Sequence, residues 1–192
     1  CDQCIGAEKN KPVQLEDGSI IAPIADRNGY QNGGIGVEKS TDRGETWKLM
    51  STVKGIEARQ PAIFLHPGGR LQMICRGKGP RNLPMVWSDD SGDTWSPIEE
   101  CVLPANMSGL DGVTMRDARH ILTYNHERGG GSKGKGPRQF LVASISKDGL
   151  AWSAALVFEG RKYKRGSGAP FGQKSYPSVI QARNGLLHIV YT

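Results

Sequence analysis

The sequence lacks most of the features that mark membrane-spanning, helical and nucleic-acid-binding proteins. Its 192 residues contain no apolar run of about 18 residues, the length that a membrane-spanning helix needs. No segment repeats its apolar residues with helical periodicity. Aromatic residues make up only 7% of the chain and few stand among the basic residues, so no platform for stacking bases is expected. We therefore predict no membrane span and no nucleic-acid partner.

Cysteine is scarce as well, and its spacing argues against a metal site. Cys1 and Cys4 have the C-x-x-C spacing of a zinc ligand pair, but no second pair follows at the distance found in zinc ribbons. Cys75 and Cys101 lie in strand-like segments. We expect buried or disulfide-linked thiols and no metal site, and no motif in the chain implies an organic cofactor.

Glycine, proline and positive charge are plentiful by contrast. The chain has 26 Gly and 11 Pro, a composition typical of turn-rich all-β proteins, and a net charge of +6. The excess charge lies in two Gly-rich loops, and loop clusters of this kind either attract an anionic substrate or remain solvated. Their basic residues are Arg128, Lys133, Lys135 and Arg138 in the first loop and Arg161, Lys162, Lys164 and Arg165 in the second.

One motif recurs along the chain. The pattern S-x-D-x-G-x-T-W occurs at residues 40–47 and 88–95, and a shortened form occurs at residues 146–152. The serines are 48 and 58 residues apart, near the length of a propeller blade. Asp and Ser side chains bind turn amides, Gly adopts a positive φ, and the Trp ring covers the turn. The motif predicts a β-hairpin turn and no catalysis.

Four strand–turn–strand segments alternate with these motifs, at residues 11–22, 60–76, 110–125 and 176–191. They predict antiparallel hairpins of one repeated unit, as in a β-propeller. A propeller closes with about four to eight blades of about 50 residues each, so this chain would hold three to four. Because it begins at Cys1 and stops within a strand, we expect residues 1–192 to form one partial propeller domain, truncated at both ends.

Polar residues recur at matching places in these hairpins. Gln60, Asp111 and Tyr176 stand near the start of an inner strand, and Arg76 and Asn125 stand at the end of the following strand. In a propeller these positions can face one mouth of the central channel, where ligands bind. The pattern therefore predicts one site assembled from several blades.

The recurring motif resembles the Asp-box, or BNR repeat, of the sialidase (neuraminidase) superfamily. Residues 10–12, 108–113 and 175–181 resemble signatures of the sialidase-like BNR-repeat group often labelled predicted neuraminidases. The resemblance covers nearly the whole chain. It implies an all-β, six-bladed propeller of sialidase type and a retaining glycoside hydrolase that removes terminal sialic acid or a related acidic sugar. The expected partner is an acidic glycan or oligosaccharide.

The resemblance also implies roles for three residues. Sialidases hold the substrate carboxylate with three arginines, because planar guanidinium groups bind a carboxylate bidentately and stay charged. Arg76 and Arg138 stand where the second and third of these arginines are expected. Tyr176, in Ser-Tyr-Pro-Ser, stands at the position of the tyrosine nucleophile, for which a neutral phenol suits an anionic sugar better than a carboxylate does.

One position departs from the family pattern. Gln60 stands 16 residues before Arg76, where sialidases carry the glutamate that activates the tyrosine. A glutamine can orient a phenol but cannot accept its proton. Asp111 is the first substitute to consider, and the weaker ones are Glu57 and Glu127.

Two family residues have no assigned counterpart in the chain. The first arginine and the acid/base aspartate should precede the first Asp-box. Residues 26 and 27, an Asp-Arg pair, lie on that side of it but are assigned neither role.

Two alternatives therefore stay open. One is a hydrolase or lyase acting on uronate-containing polysaccharides, which a carboxylate clamp also suits. The other is a propeller that binds carbohydrate without catalysis, since fold alone does not determine function. The compartment is not identified, although a secreted or periplasmic location is favoured. Residues 106–108 form a glycosylation sequon that would matter only in a eukaryotic secreted protein.

Overall fold

The computed structural model describes residues 4–25, 34–54, 57–78, 81–130, 134–159 and 174–192. The Asp-Arg pair at 26 and 27, Cys1, Lys133 and the basic cluster at 161–165 lie outside these residues. The described part is all-β, which confirms the expected fold class. Within these ranges the structure contains no helix with the length and hydropathy that a membrane crossing requires.

The strands form four antiparallel sheets that follow one another along the chain. Sheet 1 contains β1 (Val13–Gln14), β2 (Ile20–Ala25), β3 (Gly34–Ser40) and β4 (Lys48–Lys54). Sheet 2 contains β5 (Ala58–Leu65), β6 (Leu71–Gly77), β7 (Asn82–Ser88) and β8 (Glu99–Pro104). Sheet 3 contains β9 (Asp111–Thr114), β10 (His120–Asn125), β11 (Leu141–Ser146) and β12 (Ser153–Glu159). Sheet 4 contains β13 (Ser178–Gln181) and β14 (Leu187–Val190).

The four predicted hairpins are confirmed as the pairs β1–β2, β5–β6, β9–β10 and β13–β14. Successive sheets lie side by side, since β5 contacts β2 of sheet 1 and β9 of sheet 3, and β9 contacts β13 of sheet 4. This blade-by-blade order agrees with the expected partial propeller. It brings the ends of the inner strands from all four sheets together.

Alternating side chains on the strands form a separate apolar core between each pair of neighbouring sheets. In sheet 2, Ile63 and Met73 face the core shared with sheet 1, whereas Phe64 and Ile74 face the core shared with sheet 3. The third core, between sheets 3 and 4, is smaller and includes Val179. In sheet 2, β5, β6 and β7 are buried on both faces and are largely apolar, whereas β8 is partly exposed.

The Asp-boxes act as turn-building devices, as their residue types predict. In the first box the Ser40 hydroxyl donates to Asp42 at 2.7 Å and accepts from the Gly44 amide at 2.8 Å. Gly44 has a φ of 93°, which glycine adopts without strain. The Trp47 indole closes the turn by donating to the Gly44 carbonyl at 3.0 Å. These bonds lie within one hairpin turn, so the box builds no site.

The carboxylates of the first two boxes are stabilised in their charged form. The hydroxyl and amide of Thr46 donate to Asp42, and those of Thr94 donate to Asp90. These side-chain and backbone hydrogen bonds, with those from the box serines, lower the pKa of each aspartate to about 2. The boxes therefore keep their hydrogen bonds at any ordinary pH.

Two histidines pack together at the junction of sheets 2 and 3. The rings of His66 and His120 lie 4.2 Å apart, and the Phe64 ring packs on His120 at 5.3 Å. His120 is fully buried, and its Nδ1 lies 3.0 Å from the Thr114 hydroxyl. Burial first, and then the charge that His66 can carry, lower the pKa of His120 to about 4.

Gly112 provides a test of how closely sheets 2 and 3 pack. A Cβ at this position would lie 2.3 Å from Phe64 Cζ and 3.0 Å from the Ile121 carbonyl oxygen. We expect Gly112→Ala to lower the free energy of unfolding by about 1–3 kcal/mol or more, because the buried ring must move. Gly130→Ala is the control, since apart from its chain neighbours no atom of the described residues lies within 4 Å of its Cβ position. Equal thermal unfolding midpoints for the two variants would contradict this packing.

His120 should make folding stability depend on pH. Its pKa is about 4 in the folded protein and about 6.5 when unfolded, so only the unfolded chain binds the proton between these values. Stability should therefore fall as the pH is lowered from 6.5 to 4. In His120→Asn the thermal midpoint should fall less over this window than in the wild type. His188→Asn, which changes an exposed histidine of β14, should leave the wild-type slope, and an unchanged slope in His120→Asn would exclude the effect.

Candidate functional site

A left-handed residue precedes or begins the inner strand of every sheet. Lys9, Gln60, Met107 and Tyr176 have φ values of 71°, 50°, 59° and 53°, although none is glycine. Such conformations cost about 1–3 kcal/mol and persist where surrounding contacts determine them. Gln60 and Tyr176 each precede a proline, which restricts the backbone further. The inner strands therefore begin with strained turns, and two of these turns carry residues predicted for the site.

Arg76, at the end of β6, joins these two turns. Its Nη1 donates to Gln60 Oε1 at 3.1 Å and to the Tyr176 hydroxyl at 3.4 Å. A bulge between Arg59 and Ala62 shifts the register of β5 against β6. Gln60 lies in this bulge, and its side chain thereby reaches Arg76. The structure brings together the predicted arginine, the predicted nucleophile and the residue that departs from the family pattern.

Arg138, shortly before β11, lies on the tyrosine ring as well. Its guanidinium carbon is 5.2 Å from the centre of the Tyr176 ring, and that of Arg76 is 5.9 Å away. Arg138 also donates to the Met107 carbonyl at 3.4 Å, which ties it to the left-handed turn of sheet 3. Both predicted arginines therefore flank one exposed tyrosine.

Arg76 is a buried cation without an acidic partner in the described part of the chain. Only 9% of its surface is exposed, and it forms no ion pair with any described carboxylate. Its Nε has no hydrogen-bond partner within the same ranges. Burial of an unpaired charge is costly, so this position favours an anionic ligand.

The two arginines change the acidity of Tyr176. Partial burial acts to raise the pKa of its phenol, but the hydrogen bond and charge of Arg76, together with the charge and hydrogen bonding of Arg138, outweigh that effect. The net result is a pKa below the usual value of about 10. The Gln60 amide cannot take a proton. The two cations therefore favour the phenolate form of Tyr176.

Asp111 bonds to groups other than Tyr176 in the structure. It is 2% exposed and forms a 2.9 Å salt bridge to Lys11. The same oxygen accepts from the Val179 amide at 2.9 Å and from the Ser178 hydroxyl at 3.4 Å. Among the described contacts no hydrogen bond joins Asp111 to Tyr176. Asp111 thus links sheets 1, 3 and 4 at the centre of the molecule.

The weaker carboxylate candidates are engaged elsewhere too. Glu57 pairs with Lys78 at 3.3 Å. Glu127 accepts from the amides of Gln139 and Phe140 at 3.0 and 3.3 Å, and burial raises its pKa. Glu127 therefore supports the backbone that directly follows Arg138.

A segment before β1 supports the site and was not predicted to do so. The Glu8 carboxylate accepts from the Gln60 amide at 3.2 Å, and the Asn10 amide donates to the Gln60 carbonyl at 2.8 Å. Lys9 lies between them and reaches the Tyr176 turn through the Pro177 carbonyl at 2.6 Å. The sequence indicates the position of Lys9, which precedes β1 as Tyr176 precedes β13, but it does not indicate the contacts that Lys9 makes.

The described residues contain no cluster of three or more His, Cys, Asp or Glu side chains arranged for a metal ion. Cys75 and Cys101 are buried free thiols, and burial raises the pKa of both.

The sequon asparagine is engaged in the structure. Asn106 is 4% exposed, and its side chain donates to the Pro137 carbonyl at 2.9 Å and accepts from the Ser108 amide at 3.1 Å. This asparagine therefore supports the loop that carries Arg138 and is not presented as a glycan acceptor.

The profile of the BNR repeat-like domain family matches residues 4–189. The chain belongs to this family. The match covers all four sheets of this BNR repeat-like protein and includes every predicted site residue. No curated protein matches the sequence significantly.

Solved structures of sialidases share the fold of the BNR repeat-like chain. Trypanosoma rangeli sialidase superposes with a TM-score of 0.69 and 19% identity over 92% of this chain. The Ruminococcus gnavus intramolecular trans-sialidase superposes with a TM-score of 0.66 and 19% sequence identity over 94% of this chain. The Streptococcus pneumoniae NanB sialidase superposes with a TM-score of 0.66 and 16% identity, also over 94% of this chain. The BNR repeat-like chain spans only 27%, 38% and 26% of these three chains. The likeness shows a sialidase-type fold.

The pairing of Arg138 with Tyr176 leads to a test that needs no substrate. Removing the Arg138 charge should raise the pKa of the Tyr176 phenol, because one of the two cations that lower it is lost. We expect Arg138→Gln to shift the ultraviolet titration of Tyr176 to higher pH, with the signal isolated by subtracting the matching Tyr176→Phe protein. Arg119→Gln should not shift it, because Arg119 pairs with Asp117 at the opposite end of β10. Identical titrations for both variants would exclude electrostatic coupling at this site.

Proposed function

We propose that the protein is a retaining glycoside hydrolase of sialidase type that removes terminal sialic acid or a related acidic sugar from glycans. The observation that carries the proposal is the buried guanidinium of Arg76, which no described carboxylate neutralises and which lies beside the Tyr176 hydroxyl. A substrate carboxylate would supply the missing negative charge. The proposal includes residues 1–192 as part of one propeller domain.

In the proposed site the two arginines bind the substrate carboxylate and Tyr176 attacks the sugar. The phenol is already shifted toward its ionised form by Arg76 and Arg138, so attack on the anomeric carbon needs less help from a base. The bond to the leaving oxygen breaks as the aryl glycoside forms, and water then hydrolyses that intermediate with overall retention. In the family pattern an aspartate upstream of the first Asp-box protonates the leaving oxygen.

Gln60 and Asp111 take supporting roles in this scheme. The Gln60 amide oxygen accepts from Arg76 and so fixes the guanidinium relative to the phenol. Asp111 holds β13 through the Val179 amide, directly after the Tyr176 turn. Neither is assigned the proton transfer, because Gln60 has no basic group and Asp111 makes no described contact with the tyrosine.

The amide at Gln60 favours a second candidate function. A site with a carboxylate clamp and no base beside its tyrosine can bind an acidic sugar without turning it over. The same clamp accepts a uronate, so a hydrolase or lyase on uronate-containing polysaccharides is a separate alternative. The sialidase-type and uronate-active functions differ in the products they release, whereas the binding function releases none.

The test is an assay of the full-length protein on chromogenic sialosides and on uronide oligosaccharides, side by side. Release from a sialoside that falls by about 100-fold or more in Tyr176→Phe would support the sialidase-type reaction. Release only from uronides would replace the proposed substrate. Binding measured by calorimetry, without release from either, would support the non-catalytic alternative.

The carboxylate clamp has its own control. Arg76→Gln should raise KM for acidic substrates by about 10–100-fold, because a charge-assisted pair to the ligand is lost. Arg119→Gln should leave KM unchanged, since its guanidinium already pairs with Asp117. Equal effects of Arg76→Gln on acidic and neutral glycosides would refute the clamp.

A further inference from the structure

Lys9 reaches across the centre of the molecule from sheet 1 to sheets 3 and 4. Its ammonium group donates to the Pro177 carbonyl at 2.6 Å, the Leu110 carbonyl at 2.9 Å and the Asn10 side-chain oxygen at 3.1 Å. An ammonium has three N–H donors and no acceptor, so these three oxygens use it fully. One side chain therefore joins three separate segments at the mouth where the site lies.

The stem of Lys9 also packs beside the tyrosine. A Cβ on Gly109 would lie 2.8 Å from Tyr176 Cδ1 and 3.3 Å from Lys9 Cε. The absence of a side chain at Gly109 allows both groups to approach the same point of the backbone. The side chain of Lys9 therefore lies beside the Tyr176 ring, and its ammonium group bonds to the Pro177 carbonyl, which follows Tyr176 in the chain.

We propose that Lys9 is a positioning residue of the site, whose ammonium group holds the Tyr176 turn so that the phenol faces Arg76. The inference rests on the proposed function for its catalytic consequence, but its structural content does not depend on any substrate. Tyr176 is left-handed and precedes a proline, a conformation that needs outside contacts to persist. The bond from Lys9 to the Pro177 carbonyl acts directly on that turn.

The same short segment holds the opposing turn. The side-chain Nδ2 of Asn10 donates to the Gln60 carbonyl, while its Oδ1 accepts from Lys9. The Tyr176 and Gln60 turns are therefore connected through two adjacent residues of the segment before β1. Since Arg76 bonds to both of these turns, a shift of Lys9 would change the distance between the guanidinium and the phenol.

The charges around Lys9 make its own proton labile. Its neighbours are Asp111 and Lys11 near the centre and Arg76 at the end of β6. Burial of the ammonium group first, opposed by Asp111 and assisted by the two cations, lowers the pKa of Lys9 to about 8. The neutral amine has only two N–H groups for three acceptors. Positioning of Tyr176 should therefore weaken as the pH rises through about 8.

The decisive experiment compares Lys9→Met and Lys9→Arg in the full-length protein. The readout is the ultraviolet titration of Tyr176, obtained by subtracting the matching Tyr176→Phe protein in each background. Lys9→Met removes charge and hydrogen bonds, whereas Lys9→Arg keeps the charge on a planar group that does not fit the three oxygens. Lys48→Met is the control, because this exposed lysine begins β4 far from the site.

Both Lys9 variants are expected to raise the Tyr176 pKa, with phenol acidity falling about 10-fold, because the contact with Arg76 is loosened. On an active substrate, kcat should fall about 10-fold or more while KM changes less. An unchanged titration in a folded Lys9→Met protein would overturn the inference. So would a wild-type titration in Lys9→Arg, since charge alone would then explain the effect.

The design separates this inference from the proposed function. A shifted titration in a protein that turns over no glycan would support the role of Lys9 and count against catalysis. Normal turnover together with an unshifted titration would support the proposed catalysis and count against the role of Lys9. If Lys9→Met does not fold, Lys9→Gln replaces it, because one amide N–H can still reach a carbonyl. A shifted Tyr176 titration then supports the role of Lys9, and an unchanged one overturns it.

Discussion

The close packing of each sheet on the next determines where every strand end lies. Sheet 2 has apolar side chains on both faces, and a ring such as Phe64 approaches the backbone of β9 so closely that only glycine fits at residue 112. Interiors packed to this density shift as units and leave little room for local adjustment. The mouth of the molecule is therefore a rigid frame, and polar groups at the strand ends are held at set distances.

Within this frame the site depends on one unneutralised positive charge. Arg76 is covered by protein, bonds to an amide and a phenol, and meets no described acid. Folding tolerates such a charge only when enough of the guanidinium is hydrogen-bonded. The positive potential lowers the pKa of the neighbouring phenol, and in the proposed function the same charge would attract the substrate carboxylate.

Much of the architecture could be read from the sequence, because its signals are local. The Asp-box spacing and the four strand–turn–strand segments predicted the sheets in the right order, and the family resemblance placed Arg76, Arg138 and Tyr176 together. Contacts between distant segments were harder to foresee. Asp111 is a candidate base by its position in the sequence, but its salt bridge to Lys11, two residues before β1, was not foreseen.

The support from Lys9 and Asn10 was missed for the same reason. Nothing in a short Lys-Asn-Lys-Pro string indicates that its side chains reach carbonyls 101 and 168 residues away. Whether a long side chain reaches a distant carbonyl across the centre of the molecule depends on how all the sheets pack together. Local periodicity in the sequence does not predict such long-range contacts.

Duplication of a blade would affect the bonds within an Asp-box and the bonds between sheets differently. The hydrogen bonds that build the turn of the first Asp-box close within four residues, so a copied hairpin carries its turn with it into any new location. The bond from Arg76 to Tyr176 spans 100 residues and crosses from sheet 2 to sheet 4. Insertion or loss of one blade between them would preserve every turn and abolish the site. Blade number between these two residues is thus under a constraint that the repeats themselves do not impose.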